Sequence, residues 1–196
     1  MARNQTGFLI LGMLSIESNK SGYDIRKAVE SSVSYFWRES YGQIYPTLKR
    51  LAGEGLIAPR RSSTRGRPER QEYSITARGR ACFEEWLASP YREDPPRNEF
   101  LLKLFFGRSV PREVCLRHIR GFQEKNRHLL ATLDELQRQA QTHNAGDPHL
   151  PFWMLTLGFG IAHVRASIDW SDSALSSLSP ANTPAAVSAK KRPEKS

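Results

Sequence analysis

Between Lys49 and Arg80 the chain places nine basic side chains, Lys49, Arg50, Arg60, Arg61, Arg65, Arg67, Arg70, Arg78 and Arg80, against three acidic ones, Glu54, Glu69 and Glu72. A stripe of that sign suits a polyanion, and on charge alone a solvated basic face without a partner is the competing reading. The residue types beside it are those that read a duplex. Gln43 can pair with an adenine edge and Arg50 with a guanine edge, Lys49 suits a phosphate as well as a base, and Thr47 lies between them. Arg65 and Arg67 flank Gly66 in a short polar connection, where a mobile tip can reach phosphates or a narrow minor groove. Tyr23 and Tyr41 stand near two helix starts, whose free backbone amides favour phosphate.

Other chemistries find little support in the sequence. The two cysteines, Cys82 and Cys115, make no disulfide framework. Cys115 and His118 lie three apart without a second pair of ligands, so no metal site is expected. Gly158, Phe159 and Gly160 form a bare G-x-G without the third glycine or a preceding strand. His163 sits between Ala162 and Val164 and reads as a buried, hydrogen-bonded histidine, with a catalytic base or ligand-sensing group as the alternative. We therefore expect no enzyme activity and no cofactor. The first residues lack a signal-peptide profile, and the most apolar run, 152–164, falls short of the ~20 residues that cross a bilayer. A cytoplasmic chain with no membrane span is expected.

The elements that must hold these groups can be read from spacing. Phe8, Leu9, Ile10, Leu11, Met13, Leu14 and Ile16 predict a core helix, apolar on nearly all sides. Ser21 with Asp24 three residues on predicts the start of a second helix, running to about Ser32 with Ile25, Ala28 and Val29 inward. Ser40 and Gln43 repeat the spacing for a third helix carrying Ile44, Leu48 and Leu51. Pro46 predicts a kink or a later start there, and Tyr45 is placed in the core. Gly53, Glu54 and Gly55 end that helix. Leu56–Ser62 and Arg70–Ile75 then read as a hairpin with an arginine-bearing tip, and Thr76 caps a fourth helix bearing Cys82, Phe83, Trp86 and Leu87.

Three helices followed by a β-hairpin is the order of a winged helix-turn-helix. The residues Gly22-Tyr23-Asp24-Ile25, Tyr45-Pro46-Thr47-Leu48-Lys49-Arg50-Leu51, Glu54-Gly55-Leu56-Ile57, Gly66-Arg67-Pro68 and Tyr73-Ser74-Ile75-Thr76 closely resemble the PadR family of transcriptional regulators. The resemblance spans residues 7–88 and implies double-stranded DNA as a partner, with repression as the usual mode. The expected fold is thus mainly α with a small β-hairpin wing. Its organisation is a winged helix-turn-helix at 1–89, a Pro-rich linker at 90–97, an α-helical dimerisation domain at 98–178 and a basic tail at 179–196 without a core.

The net charge of +9 is concentrated at the two ends, with 14 basic and 9 acidic residues in 1–90, 11 and 10 in 91–178, and 4 and 1 in 179–196. In the near-neutral middle, Asn98–Phe106 predicts a short helix with Phe100, Leu101, Leu104 and Phe105 on its apolar face. From Pro111 to about Gln141 the positions Cys115, Ile119, Phe122, Asn126, Leu129, Leu133, Leu136 and Ala140 keep a heptad seam. A homodimer through Phe100, Phe105, Ile119, Phe122, Asn126, Leu129 and Leu133 is expected, with an intramolecular antiparallel pair and a locally bonded Asn126 as the other reading. A last helix, Pro151 to about Trp170, carries Phe152, Trp153, Phe159, His163 and Trp170. These are candidates for an effector pocket, and the resemblance adds that some PadR-like regulators release DNA on binding phenolic or other aromatic compounds. A winged-helix module that docks on an acidic protein partner is the alternative function.

Overall fold

In the computed structural model, residues 5–37, 41–62, 70–91 and 97–179 are described. Among the described residues, seven α-helices and one small antiparallel sheet make two compact units, divided between Asp94 and Pro95. The fold is a winged helix-turn-helix followed by an all-α unit.

The first unit is built around α1 (Gln5–Ile16), whose Ile10, Leu11 and Leu14 are fully buried. They pack with Ile25 of α2 (Gly22–Ser32), with Ile44, Leu48 and Leu51 of α3 (Ile44–Gly53), and with Leu56 and Ile57 at the start of the sheet. Helix α2 opens on the predicted capping box: the Ser21 hydroxyl accepts from the Asp24 amide, and the Asp24 carboxylate accepts from the Ser21 amide at 3.0 Å. Helix α3 starts later than Ser40 and Gln43 suggested. Residues Tyr41–Gln43 form a 3₁₀ turn, and Ser40 lies outside the described residues. Pro46 then falls in the first turn of α3, where no backbone donor is lost to the helix, so the kink it threatened does not arise.

Helix α3 ends as glycine spacing requires. Gly55 takes a left-handed φ of 69°, its amide donates to the Ala52 carbonyl and the Leu56 amide to the Leu51 carbonyl, the paired bonds of a glycine-terminated helix. That reversal launches β2 (Ile57–Ser62), which pairs antiparallel with β3 (Arg70–Ile75), Ile57 opposite Ile75 and Arg60 opposite Glu72. The sequence suggests two strands, and the described residues hold three: β1 (Lys20–Ser21), only two residues long, adds to the free edge of β3. So short a strand carries no periodicity of its own. Thr76 caps α4 (Ala77–Ala88), and Gly79 lies so close to the Leu56 carbonyl that a Cβ there would sit 2.0 Å from its oxygen. Only glycine fits.

The second unit begins with α5 (Glu99–Phe105), capped by Asn98, and continues into α6 (Arg112–His143) and α7 (Leu150–Ser177). Phe122 meets Trp170, Gln123 meets Asp172, and Asp134 meets Arg165, so partners on α7 recede as α6 advances and the two helices run antiparallel. The heptad seam closes within the chain. Ile119 and Leu133 are fully buried against the stripe Leu157, Ile161, Val164 and Ser171, so neither remains free to meet a second copy, as the dimer reading had placed them. Asn126 is buried as well, and its amide donates to the Phe122 carbonyl one turn back at 2.8 Å. Helix α7 runs past Trp170 to Ser177, and along this stretch the Ser171, Ser173, Ser176 and Ser177 hydroxyls donate to carbonyls four residues back, which leaves them paired inside the helix.

Candidate nucleic-acid interface

Helices α2 and α3 form the helix-turn-helix, and the stripe Ile44, Thr47, Leu48 and Leu51 faces inward. Thr47 occupies a core position, three residues after Ile44 and four before Leu51, and is 8% exposed. Its assignment to the recognition surface is therefore corrected. Gln43, Lys49 and Arg50 are exposed, as expected for groups that read a ligand. Arg50 is already engaged, its Nη1 donating to both Glu54 carboxylate oxygens at 2.8 and 3.1 Å.

Tyr45 reverses its expected place. It is 59% exposed, in the first turn of α3, with its ring against Gly22, where a Cβ would lie 2.7 Å from Cε1. The glycine at the start of α2 thus seats an aromatic ring on the surface. Burial was assigned from its place beside an apolar stripe, and the signal missed was the bare Gly22. Tyr23 is also exposed. Half-buried Tyr73 has its phenol pushed above the ordinary range, first by burial and then by the charge of Tyr45. Tyr41 begins the 3₁₀ turn, and its side chain is outside the description. Arg65 and Arg67 lie outside the described residues.

On the half of the hairpin nearer its tip the sheet carries a charged network that no motif in the sequence signals. Glu72 is 5% exposed. Its Oε1 accepts from Arg70 Nε at 3.2 Å, and Oε2 lies 3.8 Å from Arg60 Nη2. Arg70 Nη1 also lies 3.8 Å from the Asp24 carboxylate. The hydrogen bond from the Ser21 hydroxyl, at 2.7 Å, does most to hold the Asp24 carboxyl below its ordinary value; burial opposes it, and the Ser21 amide, Arg70 and Lys20 add to the lowering. No sequence spacing signals this cluster, because Arg60 and Glu72 meet only through strand register.

Of the aromatic set on α7, Phe152, Phe159 and His163 stand on the exposed side, opposite the stripe that packs on α6, with Phe159 74% exposed. His163 is exposed and stacks on Phe159 at 6.3 Å, which corrects its placement in the core. Trp153, half-buried, stacks on His149, while Trp170 meets the edges of Phe100 and Phe122, themselves stacked at 4.3 Å. Helix α7 is apolar on more than one side, and the single chain covers only the side that packs on α6. A concave surface lies elsewhere in this unit: a groove of about 430 Å³ lined by Leu102, Phe106, Val110, Val114 and Cys115, with Lys103, Ser109 and His118 as its polar members. Among the described residues no group of His, Cys, Asp and Glu could hold a metal ion, and no helix is long and apolar enough to cross a membrane.

A helix-turn-helix with a β-wing and an exposed polar helix defines the class of winged-helix regulators. The comparisons place the chain within it. Residues 10–85 match the transcriptional regulator PadR-like family, and residues 96–179 match the family model described as virulence activator alpha C-term. The negative transcriptional regulator PadR of Bacillus subtilis is 27% identical over 177 residues, spanning 87% of this chain and 96% of that protein. The crystal structure of B. subtilis PadR in complex with operator DNA superposes with a TM-score of 0.79 at 25% identity, covering 90% of this chain and all of the other. The crystal structure of the same protein in complex with p-coumaric acid gives 0.71 at 25% identity, covering 88% and 98%. The chain belongs to the PadR-like family of transcriptional regulators.

Proposed function

We propose that this regulator is a sequence-specific repressor that binds an inverted-repeat operator as a homodimer and is released by a small aromatic acid. The observation that carries the reading is the exposed surface of α3 and the turn before it, where Gln43, Lys49 and Arg50 project beside a basic hairpin on a fold similar to that of a relative solved on operator DNA. Gln43 and Arg50 supply base-edge contacts, and Lys49, Tyr23, Tyr41, Arg65 and Arg67 supply phosphate contacts. Tyr45 joins the second group because its ring is exposed and seated at the helix start.

Dimerisation is supported by apolar side chains that one chain leaves uncovered: Leu101, Leu102, Phe105 and Phe106 around α5, and Phe152, Leu155 and Phe159 on α7. Two-fold symmetry of the protein then matches two-fold symmetry of the site. For the effector, the groove beside α5 and α6 is a better receptor than the open α7 stripe, with Lys103 and His118 to meet a carboxylate and a relative solved with p-coumaric acid as support.

Selection of bound duplexes from a random pool, followed by titration of the selected duplex at two salt concentrations, tests the reading. Enrichment of a palindrome and a steep loss of affinity with salt are expected. A salt-independent, sequence-blind interaction would reject it in favour of docking on a protein. Adding aromatic acids should then release the duplex, and release by none of a broad panel would remove the effector.

A further inference from the structure

Alternation along β3 puts Tyr73 and Ile75 on the core side of the sheet, so Glu72 and Arg70 lie on the opposite face, together with Arg60 across the pair. A carboxylate on the outer face of a three-stranded sheet would normally be in water. Glu72 is nevertheless the most buried acidic side chain among the described residues, at 7% side-chain exposure, whereas its partners Arg60 and Arg70 are 68% and 52% exposed. The anion is inside and the cations are outside. A planar guanidinium that turns one edge to a carboxylate keeps further N–H donors for another anion.

The two arginines flank the hairpin tip, one on each strand, and Arg70 also reaches the Asp24 carboxylate in the first turn of α2. One side chain therefore joins both strands of the wing, and a second links them to the helix-turn-helix. We propose that Glu72 is a positioning residue of the nucleic-acid interface: buried between Arg60 and Arg70, its carboxylate fixes both guanidiniums so that their outward donors meet two DNA phosphates. The proposal rests on the DNA-binding reading above and adds to it a negative charge whose removal weakens binding to a polyanion. Simple electrostatics predicts the reverse, since neutralising an acid near DNA raises affinity for every duplex.

The opposite signs make the test. Affinities of the parent and of Glu72→Gln are measured for the selected duplex and for a random duplex, over a salt series, with thermal unfolding followed in parallel. The proposal expects Glu72→Gln to lose about tenfold or more on both duplexes, because phosphate contacts do not depend on sequence, so the specificity ratio holds. Arg60→Ala and Arg70→Ala should each flatten the salt slope by about one in the parent and by less in the Glu72→Gln background. Equal or tighter binding of both duplexes by folded Glu72→Gln overturns the proposal and leaves the DNA reading intact. A parent that binds no duplex removes both. Should Glu72→Gln fail to fold, Arg60→Lys and Arg70→Lys decide, because they keep the charge and lose the fork: weaker binding by both supports the role, and parental affinity in both overturns it.

Discussion

Position along α3 divides its polar residues into those that read and those that pack. Gln43→Ala should relax preference at one base pair by about 1–3 kcal/mol if its contact is bidentate, seen as altered enrichment at that position in duplex selection. Thr47→Val should leave every DNA affinity at the parental value, because Thr47 is 8% exposed in the core stripe; a measurable loss would return it to the surface. Asp24 makes a prediction about pH. Its folded carboxyl is held below the ordinary range chiefly by Ser21, so its contribution is complete above the unfolded carboxylate value, about 3.9, and is lost as pH falls through the lower folded one. Asp24→Asn should cost about 1 kcal/mol by denaturant titration near neutrality, the scale of a helix cap, and the gap to the parent should close below about pH 4. A gap unchanged on acidification would mean that the cap works without its charge.

At the scale of elements, capping residues and glycines carried most of the legible signal. Ser21, Thr76 and Asn98 each cap the helix they announce, and Gly55 turns α3 into the sheet, because these are local bonds set by residues within a few positions of one another. The parts that were not legible depend on distant partners. Tyr45 could be placed only once Gly22 was known to lie beneath it, and Glu72 only once register set it opposite Arg60. The seam of α6 was visible, but periodicity does not say whether the facing helix belongs to the same chain. Asn126 bonds the Phe122 carbonyl of its own helix, as the intramolecular reading has it. Asn126→Leu should leave the sedimentation of the intact chain unchanged and should not lower its melting temperature, whereas a polar residue that sets interchain register would shift the assembly.

For the whole molecule, the proposed dimer rests on the uncovered apolar side chains of α5 and α7. Phe105 is 81% exposed in the single chain, and Phe106, Phe152, Leu155 and Phe159 are exposed as well. Phe105→Glu and Phe159→Glu should shift sedimentation at micromolar concentration from dimer toward monomer. DNA affinity should fall with that shift, because two tethered half-sites bind far more tightly than one. A chain that remains dimeric with both changes would place the interface elsewhere. The antiparallel closure of α6 on α7 has a further consequence, one of time. The first unit has its whole core once Phe83 is made, whereas Leu133 waits for a stripe that ends at Ser171. At ~5–20 residues per second, synthesis of the intervening stretch leaves the seam bare for roughly 2–8 s on every nascent chain. Chains stopped near residue 150 should accordingly show a folded first unit and a sticky second one, rescued in solution by a peptide of α7, so birth is the moment at which this protein is most exposed to misassembly.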